Sequence, residues 1–594
     1  MRATLRSTAI HRCRTFLSLS AAARAGKSVL QLDAAPAFGG PWGTLSLDDF
    51  LAWAAREPEA NGAPRPALET GDVALPASTG APPPGATLHI DHAALDALLP
   101  PGSEARRAVS VDRAPCLMHA ESPTIDALLA HGATPYIEFK LAGCMACVAG
   151  GGEGGETPQP PPFLARLPAT RADVFADRSL PPLAKRALMR FLTAAADVAL
   201  AGEGPLAGAL LDPRAPFAAA VAAAGLARPA ADAVLYGLAA ATADQGPWEV
   251  GAAAGEGQAS APKEPALPPP PPLDPATECE LVGHRLAPWA AAPLPARSAT
   301  HALRRHLLST GRYGPSPLLL PVHGGGELPQ AFVRAAAVAG GVAALRRGVV
   351  AVRVGAACGA ATSVVLADGQ RIACGALIAP EGVVEPLRRQ ARADGDIPPP
   401  AVARCAALLT APPSGSTQSS PIVLPPRCLG GGRPAAPVHG VVLGSTAAAA
   451  PAPLCVLHLA TPASGAGAEA DLGDALAFLA DAMWVEGGER GGGGPARAAA
   501  VAAAFFSSPP PSSSQSGLPP NVAATSPPCA GAATADGGVA SAAAALARVF
   551  GAAVLLLPPR PDAAPGDASD EEAATALEAA LAGLLQVGGG GGAL

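Results

Sequence analysis

The residue pattern predicts an α/β protein: a large domain built on a dinucleotide-type unit, a smaller helical domain inserted in it, and several disordered Gly/Pro-rich inserts. Three observations carry this. Residues 17–25 are helix-compatible, Gly26 can end that helix, and residues 28–33 read as a buried apolar strand closing on Asp33, the order found in the second half of a βαβ unit. Residues 186–201 repeat apolar side chains at helical spacing, and residues 217–241 read as one or two further helices. Gly (67) and Pro (68) make up more than a fifth of the 594 residues, a level at which low-complexity inserts are expected.

Taken in order, Gly39-Gly40 marks a turn passing close to other backbone. Residues 76–85 form a Pro-rich linker, and residues 88–99 return to an apolar pattern. Residues 124–130 are helix-like, residues 150–162 are a Gly/Pro insert, and residues 251–275 contain a proline run suited to extended polyproline II. Residues 318–322 and 349–354 are strand-like. Residues 363–366 and 371–378, joined across Asp368-Gly369, form an expected β-hairpin. Residues 438–443 and 454–459 are another strand pair, and residues 412–425, 487–495 and 507–520 read as loops. A strand and GxGxxG loop ahead of residue 20 would complete the dinucleotide unit, and neither is seen in the sequence.

The net charge of -7 and the 15% of charged residues argue against a nucleic-acid binder, which needs a dense basic face. Eleven cysteines are scattered, and Cys144 and Cys147 form one CxxC without a second pair at zinc spacing. No metal site is expected, and reduced thiols of a cytosolic protein are the simpler reading. No apolar run is long enough to span a bilayer. The first 32 residues hold Arg2, Arg6, Arg12, Arg14 and Arg24 and no acid, a composition that suits an organelle transit peptide or a misassigned start. No nucleophile elbow, HExxH or P-loop is found, so no catalytic residue is assigned.

Several blocks, in order, resemble the family of Rab escort proteins and Rab GDP-dissociation inhibitors (GDI). They are VLQLDAAPAFGGPWGTLSLDDFLAW (29–53), YIEFK (136–140) and GRYGPSPLLLPVHGGGELPQAFVRAAAVAGG (311–341). The block RADVFADRSLPPLAKRALMRFL (171–192) and the segment LPPNVAATSPP (518–528), with the Pro-rich residues 557–565, are similar to the escort branch. The resemblance implies a flavin-oxidoreductase-like, GDI-type large domain that binds the GTPase globule, and a helical domain that contacts the transferase and accepts the prenyl chain. It divides the chain into residues 1–115 (large domain, lacking its first βα), 116–250 (helical domain), 251–285 (disordered insert), 286–566 (rest of the large domain) and 567–594 (disordered tail). The family would place the first strand and glycine loop before residue 20, so their absence favours a misassigned start over a transit peptide.

The implied function is that of a non-catalytic escort without cofactor. It would bind GDP-bound Rab GTPases, present them to the αβ Rab geranylgeranyl transferase, shield the geranylgeranyl lipid and deliver the product transiently to membranes from the cytosol. A GDP-dissociation inhibitor that recycles prenylated Rabs is the alternative, and a flavin-dependent oxidoreductase the second. By resemblance the Rab-binding residues are Phe38, Gly39, Gly40, Arg312, Tyr313, Glu327, Gln330 and Arg334, and the transferase-binding residues are Arg190 and Phe191. Several have a plainer reading. Phe38 and Trp42 also suit a core, Gly39-Gly40 a tight turn, Glu327 and Arg334 a solvated helix entrance, and Phe191 a core phenylalanine.

Overall fold

The computed structural model describes residues 7–11, 15–56, 66–76, 85–149, 161–167, 180–212, 215–246, 293–388, 401–413, 418–481, 498–509, 515–526 and 536–551. It also describes Val174, the strands Trp484–Glu486 and Glu489–Arg490, Val554, Leu556 and Leu557. The inserts expected at 251–285 and 567–594, and all but the end of 150–162, lie outside the described residues, as does Phe175.

An eight-stranded sheet carries the dinucleotide-type unit. Contrary to the sequence reading, the first strand is present. Ser7–His11 runs parallel to Val29–Leu32 on one side and to Arg371–Pro380 on the other. Helix Thr15–Arg24 joins the first two strands and ends at Gly26, whose positive φ lets its N–H reach Ala23 O while Lys27 N–H reaches Ala22 O. The expected hairpin forms between Ala361–Leu366 and Arg371–Pro380, turning at Gly369 with φ +84°. Val349–Val354 and Asp72–Ala74 extend the sheet on that side, and Val342–Ala344 is its opposite edge. Helices Thr15–Arg24, Glu327–Val338 and Asp536–Phe550 share one core, with Phe16 and Phe332 stacked at 5.6 Å.

In a second, ten-stranded sheet Val402–Leu409 is third from one edge, between Cys455–Pro462 and Ala500–Ser508. All eight residues of Val402–Leu409 are buried, which explains why no period-two pattern revealed it. The stretch read as a loop at 412–425 contains a strand, Ser420–Leu424, paired with Val438–Leu443 and Ala146–Ala149. The loop expected at 487–495 holds Glu489–Arg490, paired with Trp484–Glu486. Three short strands, Met118–His119, Leu318–Pro321 and Phe139–Leu141, form a small sheet.

The helical layer is built from Pro182–Ala201, Ala207–Leu210, Phe217–Ala223, Ala230–Asp232, a π-helical stretch Ala233–Leu238, and Ala296–Ser309. Its membership differs from the 116–250 expected. Residues 116–149 contribute strands to the three-stranded sheet and to the ten-stranded one, whereas Ala296, Ala299 and Leu303 pack into the helical core beside Phe191 and Phe217. The described residues on either side of 247–292 meet in this layer. Leu294 N–H donates to Gln245 Oε1 (2.8 Å), and Phe217 and Ala296 N–H groups bond Leu294 O and Ala215 O (2.8 Å each).

Candidate functional site

The two glycine-bearing blocks meet around one buried acid. Gly39 and Gly40 both have positive φ (+121° and +52°), and a Cβ on Gly39 would lie 2.9 Å from Gly43 Cα, so the turn admits only glycine there. Arg113 donates to the Gly40 carbonyl and lies 5.6 Å from the Trp53 ring. The turn delivers Thr44 into a two-stranded ladder opposite Asp112, and the Thr44 hydroxyl donates to Asp112 Oδ1. Gly324-Gly325-Gly326 presses onto this pair. A Cβ on Gly324 would lie 2.5 Å from Asp112 Oδ1, and one on Gly326 2.8 Å from Thr44 N.

Helix Glu327–Val338 starts here. Gly325 N–H donates to both Asp112 carboxylate oxygens (3.0 Å each), and Gly326 N–H donates to Thr44 Oγ1 (2.8 Å). Thr44 and Asp112 thus act as a remote cap, taking up N–H groups that the helix itself cannot satisfy. Burial pushes the Asp112 carboxyl up to about 6, against the pull of those hydrogen bonds.

The outer side of that helix presents Glu327, Gln330 and Arg334, spaced three and four residues apart on one face. Glu327 is half-buried, and Gln330 and Arg334 are exposed. Gln330 Nε2 donates to Glu327 Oε1 (3.1 Å), and the Arg334 guanidinium sits 4.7 Å from the Tyr136 ring centroid. Tyr136 belongs to the short helix Thr134–Tyr136 leading into the small sheet. Beyond that sheet Arg312 pairs with Glu121 and lies 5.9 Å from the ring of Tyr313, which is 53% exposed. Phe38 is half-buried against the core that holds Trp42 and Phe332, and Trp42 is fully buried. For Trp42, therefore, the core reading holds and the anchor reading does not.

In the helical layer the structure separates Arg190 from Phe191. Arg190 is exposed, on a stripe with Leu183 and Arg186. Phe191 is 2% exposed, its ring 6.2 Å from that of Phe217. The sequence assignment of Phe191 as a surface plug is thereby corrected: it shares the inward stripe with Leu188 and Ala195. The same helix walls an open, largely apolar pocket lined by Leu180, Leu188, Leu192, Val234, Leu238 and Cys147 among others. Val174, the one described member of the ADVF tetrad, is buried in this layer's core.

Residues 273–431 match the GDP dissociation inhibitor family. The chain carries a GDI-family domain. Among curated proteins it is 26% identical over 332 residues to Rab proteins geranylgeranyltransferase component A of Drosophila melanogaster, covering 56% of this chain and 50% of that protein. To Rab escort protein 1 of Arabidopsis thaliana it is 26% identical over 375 residues, covering 59% and 55%. The chain thus spans about half the length of these relatives. Its fold matches that of Rab GDI from Plasmodium falciparum with a TM-score of 0.59 at 15% identity, covering 92% of this chain and 98% of that one.

The GDI-family match contains the Gly324–Gly326 turn and the helix Glu327–Val338 but neither Thr44 nor Asp112, which reach it from far away in sequence. Asp112 escaped sequence reasoning because a lone acid in SVD carries no motif. Its signal was indirect, a helix start at Glu327 with no capping side chain of its own. Among the described residues no helix is long and apolar enough to cross a membrane.

Proposed function

We propose that the chain is a Rab escort protein. Its platform binds a GDP-bound Rab, its helical layer docks on the αβ geranylgeranyl transferase, and its apolar pocket holds the geranylgeranyl chain during delivery to membranes. It works in the cytosol as an accessory subunit and performs no chemistry itself. The observation that carries this reading is the convergence of the two signature blocks on Asp112, which leaves Glu327, Gln330, Arg334, Arg312 and Tyr313 on the surface, while the helical layer carries a separate apolar pocket.

Platform side chains bind by charged and aromatic contacts. Loss of one partner of a desolvated charged contact costs about 2–5 kcal/mol. The names of the two curated relatives support the escort, while the family match and the Plasmodium structure carry the inhibitor's name. One observation favours the inhibitor instead: buried Phe191 cannot serve as the transferase anchor, which leaves Leu183, Arg186 and Arg190 for that contact. A flavin enzyme is disfavoured by residues in hand. Arg12-Cys13-Arg14, between the first strand and helix, contains no glycine for close approach to a pyrophosphate. The Asp33 carboxylate, where a ribose would be held, accepts the Ala35 N–H (2.9 Å).

The test is a pull-down with GDP-loaded Rab, transferase and geranylgeranyl pyrophosphate. The wild-type chain should recover both proteins. Glu327→Ala or Arg334→Ala should lose Rab while remaining folded, and Arg190→Glu should lose only the transferase. Rab recovered without transferase by the wild type would make the chain a GDP-dissociation inhibitor, and a yellow, flavin-bearing preparation would sink both.

A further inference from the structure

The wall of the apolar pocket buries a carboxyl that the protein pairs only on one side. Asp232 is 6% exposed, and its Oδ1 has no hydrogen-bond partner. Its Oδ2 lies 3.5 Å from Nε of Arg228, a side chain still 40% exposed. Asp232 ends the short helix Ala230–Asp232, and the π-helical stretch Ala233–Leu238 follows directly. Such widened turns are frequent at functional positions. Ala230, Ala233, Val234 and Leu238 of this segment line the pocket; Asp232 does not, but it faces Cys147, which does.

The groups that face Asp232 supply little countercharge. Arg228, on its own segment, favours the ionised form, and Asp244, beyond the π-helical stretch, opposes it. Tyr236, one turn on, accepts the Gln245 N–H (3.1 Å), and burial keeps its phenol neutral. Cys147, from strand Ala146–Ala149, and Cys428, after strand Ser420–Leu424, face the acid as thiols, because burial raises both. Burial is also the largest influence on Asp232, pushing it from 3.8 up to about 6.

We propose that the pocket loads an apolar chain together with a proton, which Asp232 takes up from solvent. This rests on the reading of the pocket as a lipid site. In the open, empty groove water approaches the wall. An apolar chain displaces that water and removes solvation from a carboxylate that has one weak ionic partner. The ionised form is penalised, the neutral form is not, and filling the groove raises the affinity of Asp232 for its proton. Reciprocally, a lower pH tightens binding, by roughly tenfold for each unit by which filling raises the acid.

A fluorescent isoprenoid alcohol, anthraniloyl-farnesol, titrated into the full chain tests this. Between about pH 7.5 and about pH 5 the wild type should gain roughly tenfold in affinity. Asp232→Asn, isosteric and always neutral, should bind at the low-pH affinity throughout. A flat wild-type profile would overturn the proton coupling and leave the lipid pocket standing. A probe that binds at no pH would overturn both. Denaturant unfolding gives a readout without ligand. A folded-state pKa above the unfolded one means that the stabilisation is full below about pH 4 and is lost as pH rises through about 6. Relative to Asp232→Asn, the wild type should lose up to about a hundredfold in its folding equilibrium constant across that window. Parallel profiles for the two proteins would refute the assignment of the proton to this residue.

Discussion

Asp112 and Asp232 are both buried, and both are pushed up to about 6, yet they hold their regions in different ways. In the platform, both oxygens of Asp112 accept Gly325 N–H, and Oδ1 also accepts the Thr44 hydroxyl. The polar anchor is complete, and the residues meant for a partner stand outside it. In the helical layer the anchor is apolar packing around Phe191 and Phe217, and Asp232 keeps one oxygen without a partner. A satisfied buried acid fixes geometry, whereas an unsatisfied one is a reserve that a change of occupancy can draw on. Burial alone does not distinguish the two, but a hydrogen-bond census does.

Substitutions can break or sharpen this contrast. The largest effect is expected at Phe191→Ala, which should cost about 3–5 kcal/mol by opening a cavity in the helical layer. Circular dichroism and denaturant unfolding measure it, and loss of transferase binding without loss of stability would restore the surface-plug reading. Next comes the platform anchor. Asp112→Ala strands a buried N–H and a hydroxyl and should cost about 2–4 kcal/mol. Gly324→Ala should cost a comparable amount, since it meets both a positive φ and a 2.5 Å approach to the same carboxylate. Either variant would fray the start of helix Glu327–Val338, which hydrogen exchange on that helix would register. The smallest effect belongs to the surface. Arg334→Ala removes a contact over Tyr136 worth about 0.5–1 kcal/mol, so unfolding should barely shift while Rab binding falls. A large stability loss there would mean that Arg334 is part of the frame.

The sequence revealed what local chemistry encodes. The Gly39-Gly40 turn, the strands Val349–Val354 and Val438–Leu443 and the Asp368-Gly369 hairpin all write themselves in short stretches. So does the face carrying Glu327, Gln330 and Arg334. What stayed hidden depends on distant chain. Ser7–His11 looks unlike a strand in an arginine-rich leader and gains its place from two parallel neighbours. Val402–Leu409 is buried throughout and shows no alternation. Asp112 acquires its role from glycines more than two hundred residues away. Phe191 was ambiguous for a different reason, because helical spacing alone does not say which stripe faces inward. The opposing stripe of Leu183, Arg186 and Arg190, two of them charged, was the clue that Phe191 points in. Ala296–Ser309 was assigned to the wrong layer because its neighbours in sequence decided the assignment, whereas its packing partners, Phe191 and Phe217, lie far back in the chain.

Gln245 and Leu294, which flank residues 247–292, are joined by one hydrogen bond. The two flanks are therefore held together by the folded layer. Between ends so held, doubling the length of a flexible connection adds only about 0.6 kcal/mol to the cost of closure. Changes of length ahead of the GDI-family match, at residues 251–272, are therefore expected to cost the helical layer little.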